Sequence, residues 1–276
     1  MNDLGIFDKN RETHIWPLLF SFKPLDYKNM LVTLSQEEKN RAKRFIRPID
    51  SYRYIVSHCF LRSVLAFYLE VSPEYVEFDY QLHGKPILKA SFDNSQIFFN
   101  LSHSREAVLV ACCKGREVGV DIEYKLPVEN LREIAKTCMT FNEYERWMKL
   151  YEEEKISGFY RCWVLKEAYL KGIGTGLLKE GLISIEIEIN NALYSNSFYQ
   201  EGRRWYLQEI KIFEDYASAV AFQGTGFLDS FGQAENLCRK VEVPCGHPLF
   251  STFTDHNFLG YFSLEIQKEI VSDAPV

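Results

Sequence analysis

The segment Gly119-Val120-Asp121-Ile122-Glu123 constrains the fold more than any other stretch of this chain. Apolar and other residues alternate along it, the period of a β-strand. Val118, Val120 and Ile122 therefore face one side, and Gly119, Asp121 and Glu123 the other. Two carboxylates on one strand face repel each other unless a cation or base lies between them. The same pattern suits a solvent-facing edge strand; Gly119, by letting a bulky ligand approach the backbone, tilts the reading toward a site. Further along, Trp163-Val164-Leu165-Lys166-Glu167-Ala168 reads as helix, with Glu167 and Lys171 on one face. Alone, that pair is a surface ion pair worth roughly 0.3–0.5 kcal/mol. With Asp121 and Glu123 it becomes a set of three carboxylates and a lysine, suited to a hard divalent cation that in turn holds a phosphate. A phosphate-handling enzyme is the first expectation.

The elements around these segments suggest helices followed by antiparallel strands, twice over. Residues 35–70 read as helical, with Ser35 and Glu38 as a capping box, a break at Pro48 and a second helix from Asp50. Strands are expected at Val76–Tyr80, Ile97–Ser102, Ala107–Cys112 and Val118–Glu123, with turns at His83–Pro86 and at Gly115-Arg116. Helices are expected from Asn130 to Thr137, from Asn142, and from about Ile156 to Lys171, the last ended by Gly172, Gly174 and Gly176. These glycines follow a helix and not a strand, which excludes a dinucleotide loop. Strands at Ile183–Ile189, Trp205–Ile212 and Ala217–Phe222 complete an α+β fold of two similar lobes. The expected division is 1–116, 117–226, and an extension of unread role over 227–276.

A net charge of −6 gives no general attraction to nucleic acid or anionic lipid, and no uncharged apolar run reaches membrane-spanning length. The seven cysteines include no C-x-x-C pair, so buried free thiols are expected rather than disulfides or a zinc site. No signal-peptide pattern opens the sequence, and a cytoplasmic location follows as the expectation.

Three weaker motifs accompany the acids. Asn100-Leu101-Ser102-His103-Ser104 ends a strand in a polar burst able to cradle a phosphate, or is a plain loop. Gly84-Lys85-Pro86 offers a turn for a planar ring or a phosphate. Arg41, Lys43, Arg44 and Arg53 offer a site for a phosphate monoester, or a solvated helix face.

In this order along residues 10 to 225, these motifs resemble the 4′-phosphopantetheinyl transferases, of the larger, monomeric, two-lobed Sfp type. The resemblance implies a pseudo-twofold fold and transfer of phosphopantetheine from coenzyme A to a serine of an apo acyl or peptidyl carrier protein. The product would be adenosine 3′,5′-bisphosphate. It implies Asp121, Glu123 and Glu167 as ligands of magnesium, with manganese as a substitute, and Glu167 and Lys171 as catalytic groups. Ser102 and His103 match residues at coenzyme A phosphates, Lys85 and Pro86 the turn beside adenine, and Arg53 and Arg41 ligands of the 3′-phosphate; Asp121 also faces coenzyme A. Where some relatives carry a further lysine before the Arg41 position, this chain has Glu38. For the carrier, the expected docking stretch is Leu126-Pro127-Val128 with Leu131, Ile134 and Met139, flanked by Arg132 and Lys136. A different metal-dependent phosphotransferase and a non-catalytic binding module are the competing readings.

Overall fold

The computed structural model describes residues 12–21, 27–176, 179–188 and 195–224, together with the backbone of 237–241 and 261–265. In chain order, β1 (Glu12–Leu19) precedes α1 (Tyr27–Thr33), α2 (Gln36–Ala42) and α3 (Pro48–Leu69). The hairpin of β2 (Phe78–Tyr80) and β3 (Pro86–Leu88) leads to β4 (Ile97–Ser104), β5 (Ala107–Lys114) and β6 (Val118–Tyr124). Then come α4 (Leu131–Cys138), α5 (Phe141–Met148), α6 (Glu152–Ile173), α7 (Lys179–Leu182), β7 (Ser195–Gln200), β8 (Arg203–Glu209) and β9 (Tyr216–Gln223). Two further strands, β10 (Leu237–Val241) and β11 (Tyr261–Glu265), fall in the expected extension.

The strands form a five-stranded sheet in the order β10-β11-β1-β5-β4, a four-stranded sheet β6-β9-β8-β7, and the β2-β3 hairpin. All these pairings are antiparallel. The fold is thus α+β with two groups of antiparallel strands, as the alternating patterns suggest. The residues from the extension do not stand apart: β11 pairs with β1, Ile15 opposite Phe262, and widens the first sheet.

Alternation along single strands builds four layers. On β5, Val108, Val110 and Cys112 join α3 residues such as Ile55, Phe60 and Val64 in one core. Leu109 and Ala111, pointing the other way, meet Val118, Val120 and Ile122 of β6 and Val220 and Phe222 of β9. Ala219 and Ala221 of β9 face Val164, Leu165 and Ala168 of α6. The order is α3, first sheet, second sheet, α6. A strand buried on both faces must be apolar throughout, which accounts for the unbroken run from Ala107 to Cys113.

The Ser35–Glu38 capping box forms. Pro48 opens α3 rather than interrupting a helix; at the first helical position its missing N–H has no partner to lose. Five cysteines (59, 112, 113, 138 and 162) are buried free thiols. The strand expected from Ile183 is not formed over the described residues 183–188. Ile185 and Ile187 are buried, which explains the alternation. Their segment, however, is held by side chains of α5: Glu143 Oε1 accepts from the Ile187 amide at 2.5 Å, and Arg146 reaches Glu186 at 2.6 Å. Position 189 lies outside the described residues.

Gly119 also has a different cause from the one the sequence suggests. A Cβ there would overlap the Ala168 carbonyl oxygen and the Gly172 amide and lie 2.7 Å from the Gly172 Cα. The absent side chain admits α6 onto β6, not a ligand.

Candidate active site

The site grows from the seam between the two sheets. β4 is one edge of the first sheet and β6 one edge of the second. Side chains of β4 bond the main chain of β6 in a regular ladder. Asn100 Oδ1 accepts from the Val120 amide at 2.9 Å, Ser102 Oγ from Ile122 at 3.3 Å, and Ser104 Oγ from Tyr124 at 3.1 Å. The constant offset of 20 residues means that the two strands run in the same direction. Unpaired amides of an edge strand are thereby satisfied without a main-chain partner.

Each serine does a second job. Because its oxygen accepts an amide proton, its own proton points elsewhere. Ser102 donates to Asp121 Oδ1 at 2.9 Å, and Ser104 donates to Glu123 Oε2 at 2.8 Å. At the Gly119 position, one step earlier on the same face, the α6 backbone fills the space.

Helix α6 supplies the other groups. Three glutamates in its first turn favour the positive end of the helix dipole, and Gly174 closes it at φ 74°, a left-handed conformation that glycine adopts without strain. Lys171 Nζ donates to Asp121 Oδ1 at 2.5 Å and to Ser102 Oγ at 2.9 Å. The plain surface ion pair that Glu167 and Lys171 would make alone is not what forms: Lys171 joins Ser102 to Asp121, and Glu167 is buried. Asp121 Oδ2 and Glu167 Oε1 are buried and have no hydrogen-bond partner among the described residues. Burial first, then the charges of Asp121 and Glu123, push the Glu167 carboxyl up to about 7, with Lys171 opposing. Burial and Asp121 also raise Glu123.

Two orphaned, buried carboxylate oxygens with a third acid in electrostatic reach suit a hard divalent cation. Among the described residues, no group of three acidic, histidine or cysteine side chains is already drawn together around a metal position.

The remaining expected residues lie around this centre. His103 follows Ser102 on β4. Desolvation of its ring, then the positive fields of His58, Lys171 and Arg53, hold its pKa low, so the ring is neutral. Arg53 on α3 binds Glu106 at 2.5 Å and Asp50 at 3.4 Å. On α2, the Arg41 guanidinium lies 5.6 Å from the centre of the Tyr54 ring. Lys85 reaches from the β2–β3 hairpin to the segment beyond residue 116, its Nζ donating to Glu117 at 2.7 Å and to the Gly172 carbonyl at 2.7 Å. Pro86 begins β3. Glu38, in place of a lysine, is buried and accepts from Arg62 at 2.8 Å and from the Ser35 amide at 2.8 Å, with His58 Nδ1 3.0 Å from its other oxygen. The geometry brings Ser102, Asp121 and Lys171 into direct contact, and Glu123, Glu167 and His103 into their electrostatic field. It gives Lys85 and Arg41 other partners. Sequence reasoning singled out the segment from Asn100 to Ser104 but gave Asn100 and Ser104 no role of their own, although Asn-x-Ser-x-Ser on a strand puts three polar side chains on one face.

Two family models match the chain. Residues 117–221 match the 4′-phosphopantetheinyl transferase superfamily, and residues 22–115 match the 4′-phosphopantetheinyl transferase N-terminal family. The chain is 37% identical to the 4′-phosphopantetheinyl transferase HetI of Nostoc sp. over 80% of its own length and 91% of the relative's. It is 28% identical to the 4′-phosphopantetheinyl transferase Sfp of Bacillus subtilis, over 56% of this chain and 71% of that one. To the human L-aminoadipate-semialdehyde dehydrogenase-phosphopantetheinyl transferase it is 26% identical, over 69% of this chain and 67% of that one. With the acids, the lysine and the serine ladder gathered at one seam, these matches lead to one conclusion: the chain belongs to the 4′-phosphopantetheinyl transferase superfamily.

Proposed function

We propose that this transferase moves 4′-phosphopantetheine from coenzyme A to a serine of an apo acyl or peptidyl carrier protein at the β4–β6–α6 seam, leaving adenosine 3′,5′-bisphosphate. The observation that carries this reading is the pair of buried, unpartnered oxygens on Asp121 and Glu167 beside the Lys171 ammonium. Such oxygens are costly to leave bare, and a cation or a proton relieves them.

Asp121, Glu123 and Glu167 would hold magnesium, with manganese as a substitute. The ion would supply charge neutralisation at the pyrophosphate of coenzyme A. Ser102, on the same β4 end, would face a phosphate together with the neutral ring of His103. Arg53 and Arg41 form the cationic side for the 3′-phosphate, and Lys85-Pro86 the turn beside adenine. Glu167 would take the proton of the carrier serine. Lys171, held at Asp121 and Ser102, presents its third proton to the departing phosphate.

For carrier docking, Leu126 and Ile134 are exposed whereas Met139 is buried in the core. Leu126 and Ile134, with Arg132 and Lys136, are the surface that would receive an acidic carrier helix. The enzyme works as a cytoplasmic monomer in this reading. Among the described residues no helix is long and apolar enough to cross a membrane.

Incubation of the protein with coenzyme A, magnesium and a panel of apo-carriers, read by intact mass, tests the proposal. The mass of a phosphopantetheine arm should appear on the carrier, and disappear for Asp121→Ala and Glu167→Ala while both variants stay folded. Full transfer by either variant would remove these residues from the site. Consumption of coenzyme A without carrier modification would favour a different phosphotransferase.

A further inference from the structure

We propose that Ser104 is the positioning residue that aims Glu123 in this site. The inference rests on reading Asp121, Glu123 and Glu167 as cation ligands, and concerns what holds one of them in place.

Ser104 Oγ accepts the Tyr124 amide proton at 3.1 Å, which fixes its hydroxyl proton on Glu123 Oε2 at 2.8 Å. The wiring repeats that of Ser102, which accepts from Ile122 and donates to Asp121. Both carboxylates are thus held by one oxygen, so that the other faces away from the serine. The two cases differ in one respect. Asp121 has Lys171 as a second anchor on its bound oxygen. Glu123, longer by one rotatable bond, is anchored by Ser104. A part-exposed glutamate without such an anchor loses its fixed direction to rotamer freedom.

The anchor is itself fixed. Ser104 is the last residue of β4, and the turn that follows is pinned on both sides. Arg105, at φ 50°, lays its guanidinium 4.1 Å from the centre of the Tyr124 ring, and Glu106 binds Arg53. One turn of the first lobe therefore grips an acid of the second lobe and an arginine of its own.

The expected consequence is specific. Partners that orient a metal ligand typically change cation affinity by about 10–100-fold when removed. Ser104→Ala should weaken Mn2+ binding to the free protein about 10-fold, by calorimetry or by the electron paramagnetic resonance of free Mn2+. The metal concentration needed for half-maximal transfer should rise in parallel. The KM for coenzyme A and kcat at saturating metal should change little. Ser104→Thr keeps the hydroxyl and should restore most of the binding, and thermal melting reports whether each variant is folded. If folded Ser104→Ala binds Mn2+ as wild type does, with the same metal activation curve, the assignment of Ser104 is overturned while the cation site stands. A metal-independent fall in kcat, not rescued by threonine, would also overturn it. If wild type binds no Mn2+, or Asp121→Ala leaves binding intact, the cation reading itself fails and Ser104 with it.

Discussion

Gly119 lies directly beneath Ala168: a Cβ on the glycine would overlap the alanine's carbonyl oxygen. This contact sets the distance between β6 and α6, and hence between Asp121 and Glu167. Both atoms that a new methyl group would strike first are main chain, which cannot rotate away. Gly119→Ala should therefore destabilise the fold by about 3 kcal/mol or more, at the upper end of overpacking costs. Urea unfolding of the variant against wild type measures it. A change within experimental error would show that α6 shifts freely over the sheet.

Lys166 and Glu143 form a buried ion pair at 2.6 Å, and the ammonium also donates to the carbonyls of Cys138 and Leu182. Glu143 in turn accepts from the amides of Thr140 and Ile187. Lys166→Met leaves a buried carboxylate without its cation, and should cost about 3–5 kcal/mol. The double variant Lys166→Met/Glu143→Gln should lose less than the single one, because no buried charge is stranded. Denaturant midpoints of the two proteins decide the order.

Glu167 makes stability depend on pH in a defined direction. Its carboxyl is raised from an ordinary 4.5 to about 7, so between these values the folded protein holds more protons than the unfolded chain. The stabilising effect of the protonated group is complete below pH 4.5 and is lost as pH rises through 7. In metal-free buffer, Glu167→Gln should be more stable than wild type at pH 8, by about 1–2 kcal/mol after solvent screening. The gap should close as pH falls toward 5. Equal pH profiles for the two proteins would refute the assignment.

Strand β11 covers the outer edge of β1 from Glu12 to Ile15. Removing residues 227–276 exposes that edge, and open edges recruit other strands. Amides of residues 12–15 should exchange hydrogen faster in the truncated protein, and it should associate with increasing concentration. Mass-resolved exchange and light scattering check both. Unchanged exchange in β1 would mean that the edge does not depend on this pairing.

Local chemistry was readable in the sequence where it was sufficient by itself. The Ser35–Glu38 cap needs only four residues, and the run from Ala107 to Cys113 declares a strand buried on both faces. Alternation placed Asp121 and Glu123 on one side of β6, the side that α6 covers. Features that depend on distant partners were not readable. Pro17 argues against a strand, yet sits in β1 opposite Leu109; among the described residues the pairing with β11 reaches only as far as Ile15, so the missing proline N–H interrupts no described pairing on that side. Ile185 and Ile187 alternate like a strand because both point inward, but the main chain of Ile187 is bonded by side chains of α5. The role of Ser104 depends on β4 meeting β6 in parallel through side chains, an arrangement without a local signature.

The strand order β10-β11-β1-β5-β4 has a consequence for synthesis. Ile15 lies opposite Phe262, so the outer edge of β1 waits on the ribosome long after α3 and β5 have emerged. Throughout that interval the nascent polypeptide carries an unzipped border on its earliest strand, and a transcript broken off after the codon for Gly224 would leave that border open for good.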